Sequence, residues 1–126
     1  MSHSVNEIEA LATKAARGAG APPAQAAKFG QAAVRHLAAS RAEAALIDAL
    51  QALPGGPILQ FALRPDRAHP LGQSYAEAQA RAAMPARLAP SKALLDALAP
   101  LAHKTYVPAS EASRTAGAGA GLTDND

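Results

Sequence analysis

Apolar positions recur with a helical period through the first part of the chain. Val5, Ile8, Leu11, Ala12, Ala15 and Ala16 follow one another at helical spacing, which places them on one face of a helix. Ser4 and Glu7 have the spacing of a capping box: the hydroxyl accepts from a free backbone N–H, and the carboxylate accepts from the N–H of the capping residue. Gly18-Ala19-Gly20 ends the run, and Lys14 and Arg17 in its last turns suit the helix dipole. Proline is tolerated only at a helix start, so Pro22 and Pro23 predict a second helix reaching about Ala39. That helix would bury Ala26, Phe29, Ala33 and Leu37, with Gly30 allowing a close helix–helix approach. A second capping box, Ser40 with Glu43, predicts a third helix carrying Leu46, Ile47, Leu50 and Leu53 inward. Pro54-Gly55-Gly56-Pro57 stops it, and the short connections predict three antiparallel helices.

The pattern loosens over 54–73. Pro54, Pro57, Pro65 and Pro70, with Gly55, Gly56 and Gly72, leave no room for a long helix. Leu59, Phe61 and Leu63 alternate, as on one face of a short extended segment. A third capping box, Ser74 with Glu77, predicts a helix ending near Met84-Pro85. Ser91 or Pro90 starts another, with Leu94, Leu95, Leu98 and Leu101 as its stripe, and Pro100 is expected to kink or split it. After Tyr106-Val107-Pro108 a short helical turn is expected over 109–115, and Gly117-Ala118-Gly119-Ala120-Gly121 follows. The fold class is therefore mainly α: a small alanine-rich helical bundle over 1–104, with a Pro/Gly-rich connection at 54–73. Residues 105–126 form a polar, Gly-rich C-terminal tail.

Composition narrows the function. The chain has 126 residues, enough for one small domain. Its hydrophobic fraction of 49% is largely alanine, which buries little area each, so a thin core and modest stability are expected. The net charge of +2 is spread without any dense basic stretch, and aromatics make up only 3%, which argues against nucleic-acid binding. No cysteine is present, which excludes disulfides, thiol catalysis and Cys-based zinc sites and suits a cytoplasmic protein. The longest strongly apolar run, Ile58 to Leu63, is interrupted by Gln60 and far too short for a membrane span.

The run Ser4 to Gly20, SVNEIEALATKAARGAG, resembles the start of a bacterial family built on a domain of unknown function. The run Leu101 to Asp126, LAHKTYVPASEASRTAGAGAGLTDND, is similar to the end of the same family. The resemblance implies kinship without an activity, and it concentrates attention on the two ends. Family members are expected to have a longer centre with strand-like stretches and a Trp-containing start to the second helix. Here the centre is short, and Ala21-Pro22-Pro23 stands at that start.

Only five residues follow Gly121, so no helix stands behind the glycines to hold a phosphate, and a flexible or closely packed tail is the plainer reading. Asp124 and Asp126 with the terminal carboxylate are hard ligands in type, yet a solvated end explains them better. His103, Lys104, Tyr106, Ser110, Glu111, Ser113 and Arg114 gather acid–base and anion-clamping types in one stretch, which caps and exposed contacts largely account for. His3, His36 and His69 are isolated, and no pair has zinc-motif spacing, so no metal and no cofactor is expected. Glu7 and Lys14, beside Asn6 and Thr13, read as a solvated face.

Two functions follow. The first is a small accessory or scaffolding subunit that docks onto a larger, metabolic protein, or onto copies of itself, without nucleic acid or membrane. Its docking residues would be Tyr106, Ser110, Glu111, Gly117, Gly119, Gly121, Leu122, Asp124 and Asp126, with Leu122 as an apolar anchor. The second is a small-molecule enzyme or binding protein that takes an anionic metabolite with Lys14, Arg17, His103, Lys104 and Arg114. The second reading requires Arg17 and Arg114 to converge on one pocket.

Overall fold

A computed structural model describes residues 2–104. In chain order the elements are β1 (His3–Ser4), α1 (Val5–Ala19), α2 (Pro23–Ala38), α3 (Ala44–Gln51), α4 (Pro57–Leu63), α5 (Pro70–Gln79), β2 (Arg87–Leu88) and α6 (Lys92–His103). The mainly helical class holds over these residues.

Helix α1 begins as its sequence dictates. Ser4 Oγ accepts from the Glu7 N–H at 3.1 Å, and Glu7 Oε1 accepts from the Ser4 N–H at 3.0 Å. Those bonds to Ser4 hold the Glu7 carboxyl below its ordinary range. At the other end Gly20 turns left-handed with φ of 116°, and the Ala21 N–H reaches back to the Ala16 carbonyl at 2.9 Å.

The same closure ends α2, but with Ser40 in the glycine's place. Ser40 has φ of 56°, and the Arg41 N–H donates to the His36 carbonyl at 3.0 Å. The expected Ser40–Glu43 capping box is therefore absent. Ser40 is spent on ending α2, and α3 begins three residues after Arg41, with Glu43 as its unassisted N-cap.

The Pro/Gly-rich connection departs further from expectation. Residues 57–63 are the helix α4, not an extended segment. Pro57 starts it, Ile58, Phe61 and Ala62 face inward at helical spacing, and Leu63 is left 83% exposed. Lys28 Nζ donates to the Ala62 carbonyl at 3.0 Å, tying the end of α4 to α2. Helix α5 then starts at Pro70, one turn earlier than the Ser74–Glu77 pair suggested. His69 is its cap, with Nδ1 accepting from the Leu71 N–H at 3.1 Å. It ends at Gln79, short of Met84-Pro85, because Arg81 adopts φ of 55° and the Ala82 N–H closes back on the Glu77 carbonyl. Of the two expected starts, Ser91 and Pro90, Ser91 caps α6, and Pro100 does not split that helix. It removes one backbone donor in the last turns and the helix runs on to His103.

Packing also differs from three consecutive helices. Ile8 clusters with Val34, and Thr13 lies opposite Gly30, so α1 and α2 are antiparallel. The other neighbour of α1 is α6 rather than α3. Leu95 joins the Ile8 cluster while Leu101 lies against Gly18, so α6 runs parallel to α1. Helix α5 covers the remaining side of α2. A two-residue antiparallel pairing of β1 with β2, His3 opposite Leu88, ties the N-terminus to the segment before α6. Glycine makes these approaches possible: a Cβ on Gly30 would stand 2.1 Å from Thr13 Oγ1 and 2.8 Å from the Glu9 carbonyl oxygen.

Candidate functional site

The buried polar chemistry collects where α2, the turn after it and α5 meet. Among the described residues His36 and Ser74 are the two polar residues fully shielded from solvent, each 0% exposed. His36 Nε2 lies 2.7 Å from the Ala42 carbonyl oxygen, and Nδ1 lies 2.9 Å from Ser74 Oγ. A carbonyl only accepts, so Nε2 carries the ring proton and Nδ1 of the neutral ring accepts from the Ser74 hydroxyl. Burial lowers the His36 pKa, most of all by desolvating the charged form, and so favours the neutral ring.

Arg41 extends the relay toward the surface. Its Nη1 donates to Ser74 Oγ at 2.9 Å and to Glu77 Oε1 at 2.7 Å, while Nη2 donates to Glu77 Oε2 at 2.6 Å. The paired guanidinium holds the Glu77 carboxyl below its ordinary range, and Glu77 in turn raises Arg41. The helical spacing of Ser74 and Glu77, three residues apart, presents both to this corner. That spacing is what made them resemble a capping box.

Two clefts flank the relay. One, of about 340 Å³, is lined by Arg67, Gln73, Ala76, Glu77 and Ala80. The other, of about 270 Å³, is lined by Leu37, Ser40, Arg41, Glu43, Ala89 and Pro90. Glu43 stands at the N-cap of α3, but its side chain makes no capping bond there. Its carboxylate accepts from the Ser91 N–H at 2.9 Å and from the Ser91 hydroxyl, joining the starts of α3 and α6.

As chemistry, a serine hydroxyl on a neutral imidazole is the beginning of an activated nucleophile. Here it lacks access, because both groups are sealed and the hydroxyl is further occupied by Arg41. Lone pairs and protons that would serve a substrate instead hold helices together. Tyr75, in the same helix, has a buried hydroxyl with no partner among the described residues, and burial raises its pKa.

The basic residues expected to bind an anion lie elsewhere. Gly18 sits so close to the Leu101 carbonyl that a Cβ would stand 1.7 Å from its oxygen, which brings the last turns of α1 and α6 side by side. Lys14, Arg17, His103 and Lys104 are exposed residues of those turns. Arg114 lies outside the described residues, so its convergence with Arg17 does too. So do Tyr106, Ser110, Glu111, Gly117, Gly119, Gly121, Leu122, Asp124 and Asp126. Among the described residues no three His, Asp or Glu side chains are grouped to hold a metal ion, and no helix is long and apolar enough to cross a membrane. Sequence reasoning treated His36 as isolated. The signal that would have found its role is a histidine on the inward stripe of α2, in phase with Phe29 and Ala33.

These features define a mainly helical bundle stitched by a buried histidine–serine relay. Residues 3–53 match the model of a family described as protein of unknown function (DUF3726). The resemblance carried by Ser4 to Gly20 falls inside that stretch, and the run from Leu101 to Asp126 falls outside it. No curated protein and no solved structure matches the chain. The matched stretch contributes His36, Arg41 and Glu43, whereas their partners Ser74, Glu77 and Ser91 come from the rest of the chain.

Proposed function

We propose that this protein is a small cytoplasmic accessory or scaffolding subunit that docks onto a larger, metabolic partner through its helical bundle and its C-terminal residues. The supporting observation is what fills the core. Of the eighteen buried residues in the main cluster, nine are alanine. Alanine contributes little buried area, so a bundle of this kind gains from covering its surface with a second protein. In keeping with that role, His36 and Ser74 serve cohesion between helices.

The test is co-purification of the full chain, and of a chain ending at Thr115, from the native host. The full chain should carry a stoichiometric partner that the shortened chain loses. Equal recovery by both, or recovery by neither, overturns the proposal.

An anion-binding role has one observation in its favour, the approach of α1 to α6 at Gly18, which gathers Lys14, Arg17, His103 and Lys104 at one end of the bundle. The same geometry works against it. These are helix C-termini, whose partial negative charge repels an anion and already accounts for cations there. A thermal-shift screen of carboxylate and phosphate metabolites separates the two readings, since a specific ligand raises Tm.

A further inference from the structure

Ser74 Oγ is shared three ways. His36 Nδ1 and Arg41 Nη1 each lie 2.9 Å from it, and the Pro70 carbonyl oxygen lies 3.2 Å away. A hydroxyl has one proton to give. With His36 neutral, that proton goes to Nδ1 and Arg41 donates to a lone pair of the same oxygen, which leaves the Pro70 carbonyl without the hydroxyl proton.

We propose that the His36–Ser74 pair is an acid-sensitive latch between α2 and α5: a proton on His36 releases α5 and opens the cleft that Glu77 lines. Once protonated, Nδ1 becomes a donor, and the Ser74 hydroxyl must turn toward the Pro70 carbonyl. Two cationic N–H groups, from His36 and Arg41, then point at one oxygen in a site closed to water. Arg41 is held there by its two bonds to Glu77.

The surrounding charges do not relieve this. From the turn after α2, Arg41 repels an imidazolium, and so does His69 at the start of α5. Glu77 on α5 attracts it, but that carboxylate is already paired with Arg41 and also feels Arg35 of α2. The strain falls on the seam between α2 and α5. Helix α2 is held by α1 on its other side, whereas α5 has α2 as its one extensive neighbour, so α5 is the part that yields. The device is independent of the docking role proposed above.

Amide hydrogen exchange on the full chain tests it, with rates corrected for intrinsic pH dependence. Between pH of about 7.5 and about 5, protection over residues 71–79 should fall about tenfold or more while α1 is unchanged. His36→Gln keeps a donor and an acceptor without a titrating group and should abolish the selective loss. Parallel loosening of α1 and α5, or a selective loss that persists in His36→Gln, overturns the latch. Should that variant not fold, the imidazole nitrogen shifts of the unaltered protein decide. The latch requires the Nε2–H tautomer at neutral pH and ring protonation in step with α5 release. An Nδ1–H tautomer, or protonation that leaves α5 protected, refutes it.

Discussion

His36 Nδ1 and Ser74 Oγ, thirty-eight positions apart in the chain, meet at 2.9 Å in a site that neither shares with solvent. The bond joins α2 to α5, and its value lies in what its loss leaves behind. Ser74→Ala strips the buried imidazole of its donor and Arg41 of one acceptor. A buried group left unsatisfied costs about 1–3 kcal/mol, which should appear as a lower urea midpoint with an unchanged slope. In a double-mutant cycle with His36→Gln the two losses should be strongly non-additive, since they share one bond. Additive losses would show that the pair is not coupled.

Glu77 offers a pH-dependent counterpart. Arg41 holds its carboxyl below the ordinary carboxylate value of 4.5, so the unfolded chain binds more protons than the folded one as the solution is acidified. Its contribution is therefore complete above about 4.5 and is lost as pH falls through the lower folded value. The side chains are 18% and 37% exposed, for Arg41 and Glu77, so solvent screening keeps the pair near the surface-pair range of roughly 1 kcal/mol. Glu77→Gln should destabilise by about that much at neutral pH and by progressively less in acid, read from denaturant curves at several pH values. A constant deficit across the range would contradict this account.

At Gly30 α2 approaches α1 closely. A methyl group there meets both Thr13 Oγ1 and the Glu9 backbone carbonyl, and only the first is a side chain that can be removed. Alanine favours the helix by about 1 kcal/mol, but overpacking a tight interface costs roughly 1–3 kcal/mol, so Gly30→Ala should lower Tm. Thr13→Ala on that background should restore part of the loss and not all of it, because the carbonyl contact remains. Full recovery would mean that the backbones are free to separate.

Ser40 ends α2 in a conformation that costs an L-residue about 1–2 kcal/mol and costs glycine almost nothing. Ser40→Gly should raise stability by roughly 0.5–1 kcal/mol after the extra freedom of the unfolded glycine is subtracted. Calorimetry on the two proteins measures it directly. A lower Tm would show that the serine side chain has a stabilising role at the lip of the cleft that it lines.

The sequence by itself determined the helical class, the α1 capping box, the Gly20 stop, the proline-led start of α2 and the Ser91 cap of α6. Each depends on residues within a few positions, where backbone sterics and local hydrogen bonding decide the outcome. Tertiary structure decided the rest. Ser40-x-x-Glu43 and Ser74-x-x-Glu77 carry the same local signal as Ser4-x-x-Glu7, but only Ser4 and Glu7 cap each other. Ser40 was taken by a left-handed helix end, Glu43 by Ser91, Ser74 by His36 and Glu77 by Arg41. Leu59, Phe61 and Leu63 fit a strand's period while Ile58, Phe61 and Ala62 fit a helix's, and burial against α2 selected the second. Spacing predicts which side chains share a face. Which partner satisfies a buried donor or acceptor depends on segments far apart in the chain, and that is settled only when the helices pack.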